Sequence, residues 1–293
     1  NIAVIAVVLT AVMFMALTTV LEGTQISMKN QMLRQVGTKF MVSLKNLTQE
    51  EAERLVMEPE FAIAGIEQSV ASAVNSTLNN VSVSIGWMDT VVTENSFMHL
   101  EAGHAPENIN EIACDTEVLR LLGLPEDAIG RSFVLQYMAG TKPMEKEMTV
   151  CGIWKGRKYE QSASMLVSKP FVEEVLSNCD GEYEWLRTTS YCVRGSFASE
   201  KNIAEQLDRM VEKIGYNPSA ERGEDGFLIH HVNPVYESAS MGDTMAVYVA
   251  EGIGVLLILF AGYLIIYNIF KISVEKDIRL YGQLKTIGTS PRQ

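Results

Sequence analysis

The side chains most able to do chemistry are four histidines and four cysteines, scattered through the chain. His230 and His231 are adjacent, so on a strand they point to opposite faces and make a poor metal pair. His99 and His104 would join a metal site only through the fold, so structural or solvated histidines and no bound metal are the expectation. Cys114, Cys151, Cys179 and Cys192 allow three pairings. Cys179 and Cys192 enclose a short polar loop, so their bridging would cost the least closure entropy; a disulfide there and reduced thiols both remain open. Cys114 and Cys151 sit in apolar contexts that suit buried thiols. The chain has no glycine-rich phosphate loop with its lysine, and no G-x-S-x-G, H-E-x-x-H or C-x-x-C motif. It is expected to have no catalytic residues, to need no cofactor of its own and not to hydrolyse ATP.

The elements that would position these residues are dominated by two apolar runs. Residues 252–270 form nineteen positions without a charge, enough at about 1.5 Å per residue to cross the hydrocarbon core of a bilayer. Residues 2–21 form a second such run. A cleaved signal peptide is its rival reading, but the run is longer than a usual signal core and no small-x-small cleavage site precedes Glu22. Lys271, Lys276, Arg279, Lys285 and Arg292 follow the second run against only Glu275 and Asp277, which marks that side as cytoplasmic. Residues 23–245 carry 19 basic and 32 acidic side chains within a chain of net charge −12. An acidic middle and a basic end suit an outer domain and an inner tail, and the acidity argues against nucleic acid as a partner. Glu251 is placed at the outer membrane boundary, where wetting by the interface is expected. Ala250 and Gly254 make a small-x-x-x-small pair that would let two helices approach. The expected organisation is a first transmembrane helix at 1–21, an extracytoplasmic domain with helical stalk ends at 22–245, a second transmembrane helix at 246–270 and a cytoplasmic segment at 271–293.

In that last segment Leu280, Leu284 and Ile287 recur at helical spacing, Gly288 is placed to stop the helix, and Ser290 with Pro291 would open another. The stretch RLYGQLKTIGTSPRQ, directly after an apolar span, resembles the signature of the FtsX/MacB-like ABC transporter permeases, through Arg279, Gly282, Leu284, Lys285, Ile287, Gly288, Ser290 and Gln293. The resemblance implies that this is a coupling helix docked on a separate ABC ATPase subunit, with Arg279, Tyr281, Gly282, Leu284, Lys285, Ile287 and Gly288 as the contact residues. The bland alternative is an amphipathic juxtamembrane segment held by anionic lipid.

The middle of the chain reads as mixed α and β. Strands are expected at 39–47, 81–88, 132–138, 148–154, 188–195 and 227–235, with 62–74 ambiguous. Thr48 and Glu51 form a capping box for a short helix, Ser168 and Pro170 open another, and residues 111–125 pass from extended chain into a helix. Ser199 is expected to cap a long amphipathic helix bearing Ile203, Leu207, Met210 and Ile214 and ending at Gly215. Residues 103–133, through Asn110, Glu111, Ile112, Leu122, Gly123, Ile129 and Gly130, together with 149–156, resemble the outer domain of MacB-like permeases. The fold class so implied is two transmembrane α-helices flanking a mixed α+β extracytoplasmic domain of two lobes on a helical stalk, in a fragment of a larger multi-pass protein of the bacterial cell membrane. The implied function is that of a permease subunit, paired with a second permease and with ATPase subunits that bind the ATP, moving a lipoprotein, peptide or amphiphile. A single-span receptor with a cleaved signal peptide is the alternative.

Overall fold

The computed structural model describes residues 2–78, 81–156, 162–179, 183, 185–238, 243–286 and 288. It divides into two compact units, one built from the two ends of the chain (Asn1–Gln31 and Met241–Gln293) and one from the middle (Met32–Ser240). The first contains most of helix α1, Ile2–Val36, and helix α9, Asp243–Thr286. Both are long and apolar enough to cross a membrane. They approach closely where a Cβ added to Gly262 would lie 2.6 Å from Thr10 Cγ2. The small-residue contact is thus at Gly262, two turns beyond the Ala250 and Gly254 pair.

Among the described residues of the second unit, alternation of apolar and polar side chains produces ten strands, and all ten join one sheet. They are β1 (Val42–Leu47), β2 (Phe61–Ala73), β3 (Ser82–Met88), β4 (Leu100–Gly103), β5 (Glu111–Asp115), β6 (Ser132–Ala139), β7 (Lys142–Trp154), β8 (Ser162–Val167), β9 (Tyr191–Phe197) and β10 (Ile229–Val232). The order is β10-β1-β9-β2-β3-β8-β5-β7-β4, with β6 pairing both β2 and β7. That double pairing closes β2, β3, β8, β5, β7 and β6 into a ring, which removes the open edges of those strands. The β3–β8 and β5–β7 pairs are parallel and the others antiparallel. Leu135, Tyr137 and Ala139 of β6 are buried in turn while Val134 and Gln136 stay exposed, the period of two that a closed sheet with one dry face requires.

Two main apolar clusters result. One unites ring side chains such as Ile85, Ile112, Leu135, Met148 and Met165 with α4 (Thr116–Leu121) and α5 (Lys169–Asn178), where Phe171 lies 5.6 Å from Tyr137 between ring centroids. The other packs Leu44, Leu47 and Val193 against α2 (Gln49–Val56) and α7 (Ile203–Lys213) and includes Leu33 of α1. The expected pair of lobes therefore takes the form of two cores sharing one sheet.

Local signals set most element starts. The Thr48/Glu51 box and the Ser168 cap form as expected, and the ambiguous 62–74 stretch is β2. Other expectations change. The turn between β6 and β7 is only Gly140 and Thr141, so Pro143 to Glu147 belong to β7. Ser199 does not cap α7: its Oγ accepts from Lys201 N, and the helix starts after Asn202 in a left-handed conformation. A short helix α6, Leu186–Thr189, precedes β9 and delays its start to Tyr191. Helix α3 (Thr90–Asn95), β4 and β8 carry weak periodicity and were absent from the sequence reading; Asp89 organises the first by accepting from Val92 N and from Ile66 N of β2.

Strand β2 serves both cores. Residues 61–68 pair with β9, residues 67–73 with β3, and Ser72 and Ala73 with β6. At the changeover Glu67 is buried, and Arg194 Nε donates to its Oε2 at 2.7 Å from the diagonal position on β9. Beside it the buried Gln68 Nε2 donates to Ser190 Oγ at 2.9 Å. A buried ion pair is costly to break and cheap to replace whole. Arg194→Met is expected to destabilise the protein by about 3 kcal/mol, whereas the joint change Glu67→Leu with Arg194→Met costs clearly less. Denaturant titration of the full chain in detergent measures both; a double variant that loses the sum of the two single losses would show the pair to be uncoupled.

Candidate coupling site

Of the residues expected to contact an ATPase, Arg279, Tyr281, Gly282, Leu284 and Lys285 lie in the last turns of α9. The chain from 252 to 286 is one uninterrupted helix, so the expected helix bearing Leu280 and Leu284 is a direct continuation of the apolar stretch. The reason is compositional: between Phe270 and Thr286, Gly282 is the sole helix-weakening residue of the glycine and proline type, and one glycine costs only about 1 kcal/mol. Arg279, Tyr281, Gly282, Leu284 and Lys285 are all exposed, and Leu280 and Leu284 share a face at a separation of four residues. Tyr281 is 71% exposed and Leu284 37%. Gly288 has φ +80°, the left-handed conformation that larger residues resist, and its N–H donates to Lys285 O at 3.3 Å. Ile287, Ser290 and Gln293 lie outside the described residues.

Upstream on the same helix, Leu256, Leu257, Phe260 and Tyr263 are each at least 60% exposed. Leaving such side chains in water costs about 1.5–3 kcal/mol each relative to burial. The apolar surface between 252 and 270 therefore demands a non-aqueous surrounding. The side chain of Glu251 is outside the described set.

The other chemically capable residues are dispersed. His99 is exposed. His230 and His231 lie on β10 with opposite orientations; His230 Nδ1 is 2.8 Å from Leu228 O, and burial lowers the His231 pKa. His104 differs, because the fold carries it to Cys151 and Glu111. No spacing in the sequence signals that meeting: it depends on β4, which sequence periodicity does not reveal, lying beside β7. All four cysteines are buried. Cys192 lies within β9 with its Sγ directed to Val193 O, and Cys179 follows α5 with its Sγ directed to Val175 O. A buried strand position gives Cys192 a dry setting of its own. Burial pushes the Cys114 and Cys192 thiols up and the Cys151 thiol up to about 12, which makes all three weak nucleophiles.

No protein-family profile matches the sequence, and no curated protein matches it. Solved structures do. The extracellular domain of a noncanonical ABC-type transporter, YknZ, from Gram-positive bacteria is 9% identical, with 67% of this chain covering 100% of that one at a TM-score of 0.40. The periplasmic region of MacB from Actinobacillus actinomycetemcomitans is 13% identical, with 71% covering 94% at 0.41. A domain assigned as a permease protein from Porphyromonas gingivalis is 14% identical, with 67% covering 89% at 0.37. In all three cases the chain is similar to a domain of an ABC-type transporter or permease.

Proposed function

We propose that the chain is a permease subunit of an FtsX/MacB-like ABC transporter, with the middle unit outside the cytoplasmic membrane of a bacterium and residues 271–293 inside. One observation carries the reading: α9 runs without a break from a charge-free stretch into exposed, basic turns, and those turns, with Gly288 of positive φ beyond them, hold residues that resemble the coupling signature. A continuous helix transmits displacement along its axis, because each turn is hydrogen-bonded to the next. In this reading a separate ABC ATPase binds and hydrolyses ATP, and its closure displaces the lower end of α9. The chain itself supplies no catalytic group. A second permease subunit completes the assembly, membrane lipid surrounds the apolar helices, and the cargo is a lipoprotein, peptide or amphiphile.

The contact has an apolar centre and a basic rim. Leu284 presents an apolar group on the face shared with Leu280, and Lys285 contributes charge that steers association with an acidic groove. Leu284→Asp and Gly288→Val are therefore expected to return ATP turnover of the reconstituted full complex to the level of the ATPase alone, while expression and membrane insertion stay normal. Lys285→Ala lowers it about twofold, as a rim charge worth ~0.5 kcal/mol would, and more at low salt than at high. Undiminished turnover in Leu284→Asp would reduce this stretch to a membrane-surface anchor.

Topology has its own test. In intact cells a membrane-impermeant thiol reagent should modify Ser199→Cys and spare Ser290→Cys. Equal modification of both would remove the two-span arrangement.

A further inference from the structure

The fold brings together three groups that the chain's proposed transport role does not use. A ring nitrogen of His104, a carboxylate oxygen of Glu111 and Sγ of Cys151 all lie within 4.8 Å of one another. They come from three elements: His104 directly follows β4, Glu111 opens β5, and Cys151 is in β7, which pairs with both strands. Two glycines make the meeting geometrically available. A Cβ at Gly152 would stand 2.4 Å from His104 O, and one at Gly103 would stand 2.0 Å from Cys151 O. With hydrogen there instead, His104 N donates to Cys151 O at 2.9 Å and the two backbones lie in direct contact.

Two of the groups are held in states suited to a ligand, while Cys151 Sγ donates to His104 O at 3.5 Å and must lose its proton to bind. His104 Nδ1 is 2.8 Å from Ala105 O. A hydrogen bond there puts the proton on Nδ1 and leaves the lone pair on Nε2, the arrangement in which metal-bound imidazoles are commonly fixed. Glu111 accepts from Asn108 N at 3.0 Å, from Asn108 Nδ2 at 2.8 Å and from Glu107 N at 2.8 Å. These three donors fix the carboxylate in place and leave it acceptor capacity to spare. Cys151 is buried at the inner side of the cluster and His104 is exposed at the outer side, so the site opens to solvent past the imidazole.

We propose that His104, Glu111 and Cys151 form a binding site for a divalent transition metal ion of the zinc class, through one nitrogen, one oxygen and one sulfur. Borderline-soft ions accept this mixed donor set, whereas magnesium and calcium call for oxygen alone. Tetrahedral zinc with bonds of about 2.0–2.3 Å places its ligands roughly 3.5 Å apart, so no pair of the three groups has to close by more than about 1.3 Å. Binding replaces the Cys151 S–H bond with a metal–sulfur bond and releases that proton to solvent. Three protein ligands leave a fourth position for water or for an oxygen or nitrogen donor from a bound molecule. An ion held here would tie the 104–110 linker to β7.

The test is cobalt(II) titration of the reduced full-length protein in detergent, read by absorption. One equivalent should produce a thiolate-to-cobalt charge-transfer band, and zinc(II) should abolish it by displacement. Cys151→Ser should lose the band. His104→Gln changes an exposed ring and should fold normally, yet weaken cobalt(II) binding by at least about tenfold, the loss seen even for outer partners of ligands. Zinc(II) should also raise the Tm of the unaltered protein and leave that of His104→Gln unchanged. No charge-transfer band in folded, reduced protein would overturn the proposal. So would a band and an affinity that survive in His104→Gln, which remains decisive if Cys151→Ser fails to fold.

Discussion

The middle unit depends on one strand doing two jobs. β2 is thirteen residues long because it must pair with β9 beside one core and then with β3 and β6 beside the other. A strand presents two faces with a period of two, and a register shift between Ser69 and Ala71 changes which residues face inward as the partners change. Just before that shift the sheet buries Glu67 and Gln68, and each finds a partner on the β9 side, Arg194 and Ser190. Polar groups at the branch make slippage costly, since a one-residue slide would leave a carboxylate in a dry sheet without its guanidinium. The ring below and the layered sheet above can each pack independently once that point is set.

The terminal unit is governed by the opposite condition. Over their apolar stretches most of the described side chains are exposed, so packing within the protein does not satisfy them. Lipid would do so, and helices suit lipid because all their backbone groups are bonded internally. Apolar surround and basic end then act together. In the proposed arrangement the first would hold α9 across the bilayer, and the second would keep its last turns at an aqueous surface open to a soluble partner.

Much of this was legible in the residues. Thr48 with Glu51, Ser168 with Pro170 and the alternation at 81–88 are local signals, and the elements they announce form where expected. Signals failed where the competition was between local and distant partners. Ser199 has the chemistry of a cap, but its hydroxyl turns to Lys201 and the helix starts later. Pro143 and the charges around it looked like a turn, yet they lie in β7, where pairing with β6 outweighs composition. The residues proposed for coupling are visible only as a pattern of types, and their helix continues the apolar stretch because nothing between Phe270 and Thr286 stops it. The meeting of His104, Glu111 and Cys151 had no sequence signal, since it rests on β5 and β4 both lying against β7.

The central claim is that the last turns of α9 dock on an ATP-hydrolysing subunit. It is tested most directly by placing a photo-crosslinking amino acid at Tyr281 and irradiating native membranes with and without nucleotide. The account predicts a crosslinked product that mass spectrometry identifies as an ABC ATPase, with a yield that changes when ATP is added. Crosslinks to lipid alone, with the ATPase absent from the products in either condition, would contradict it.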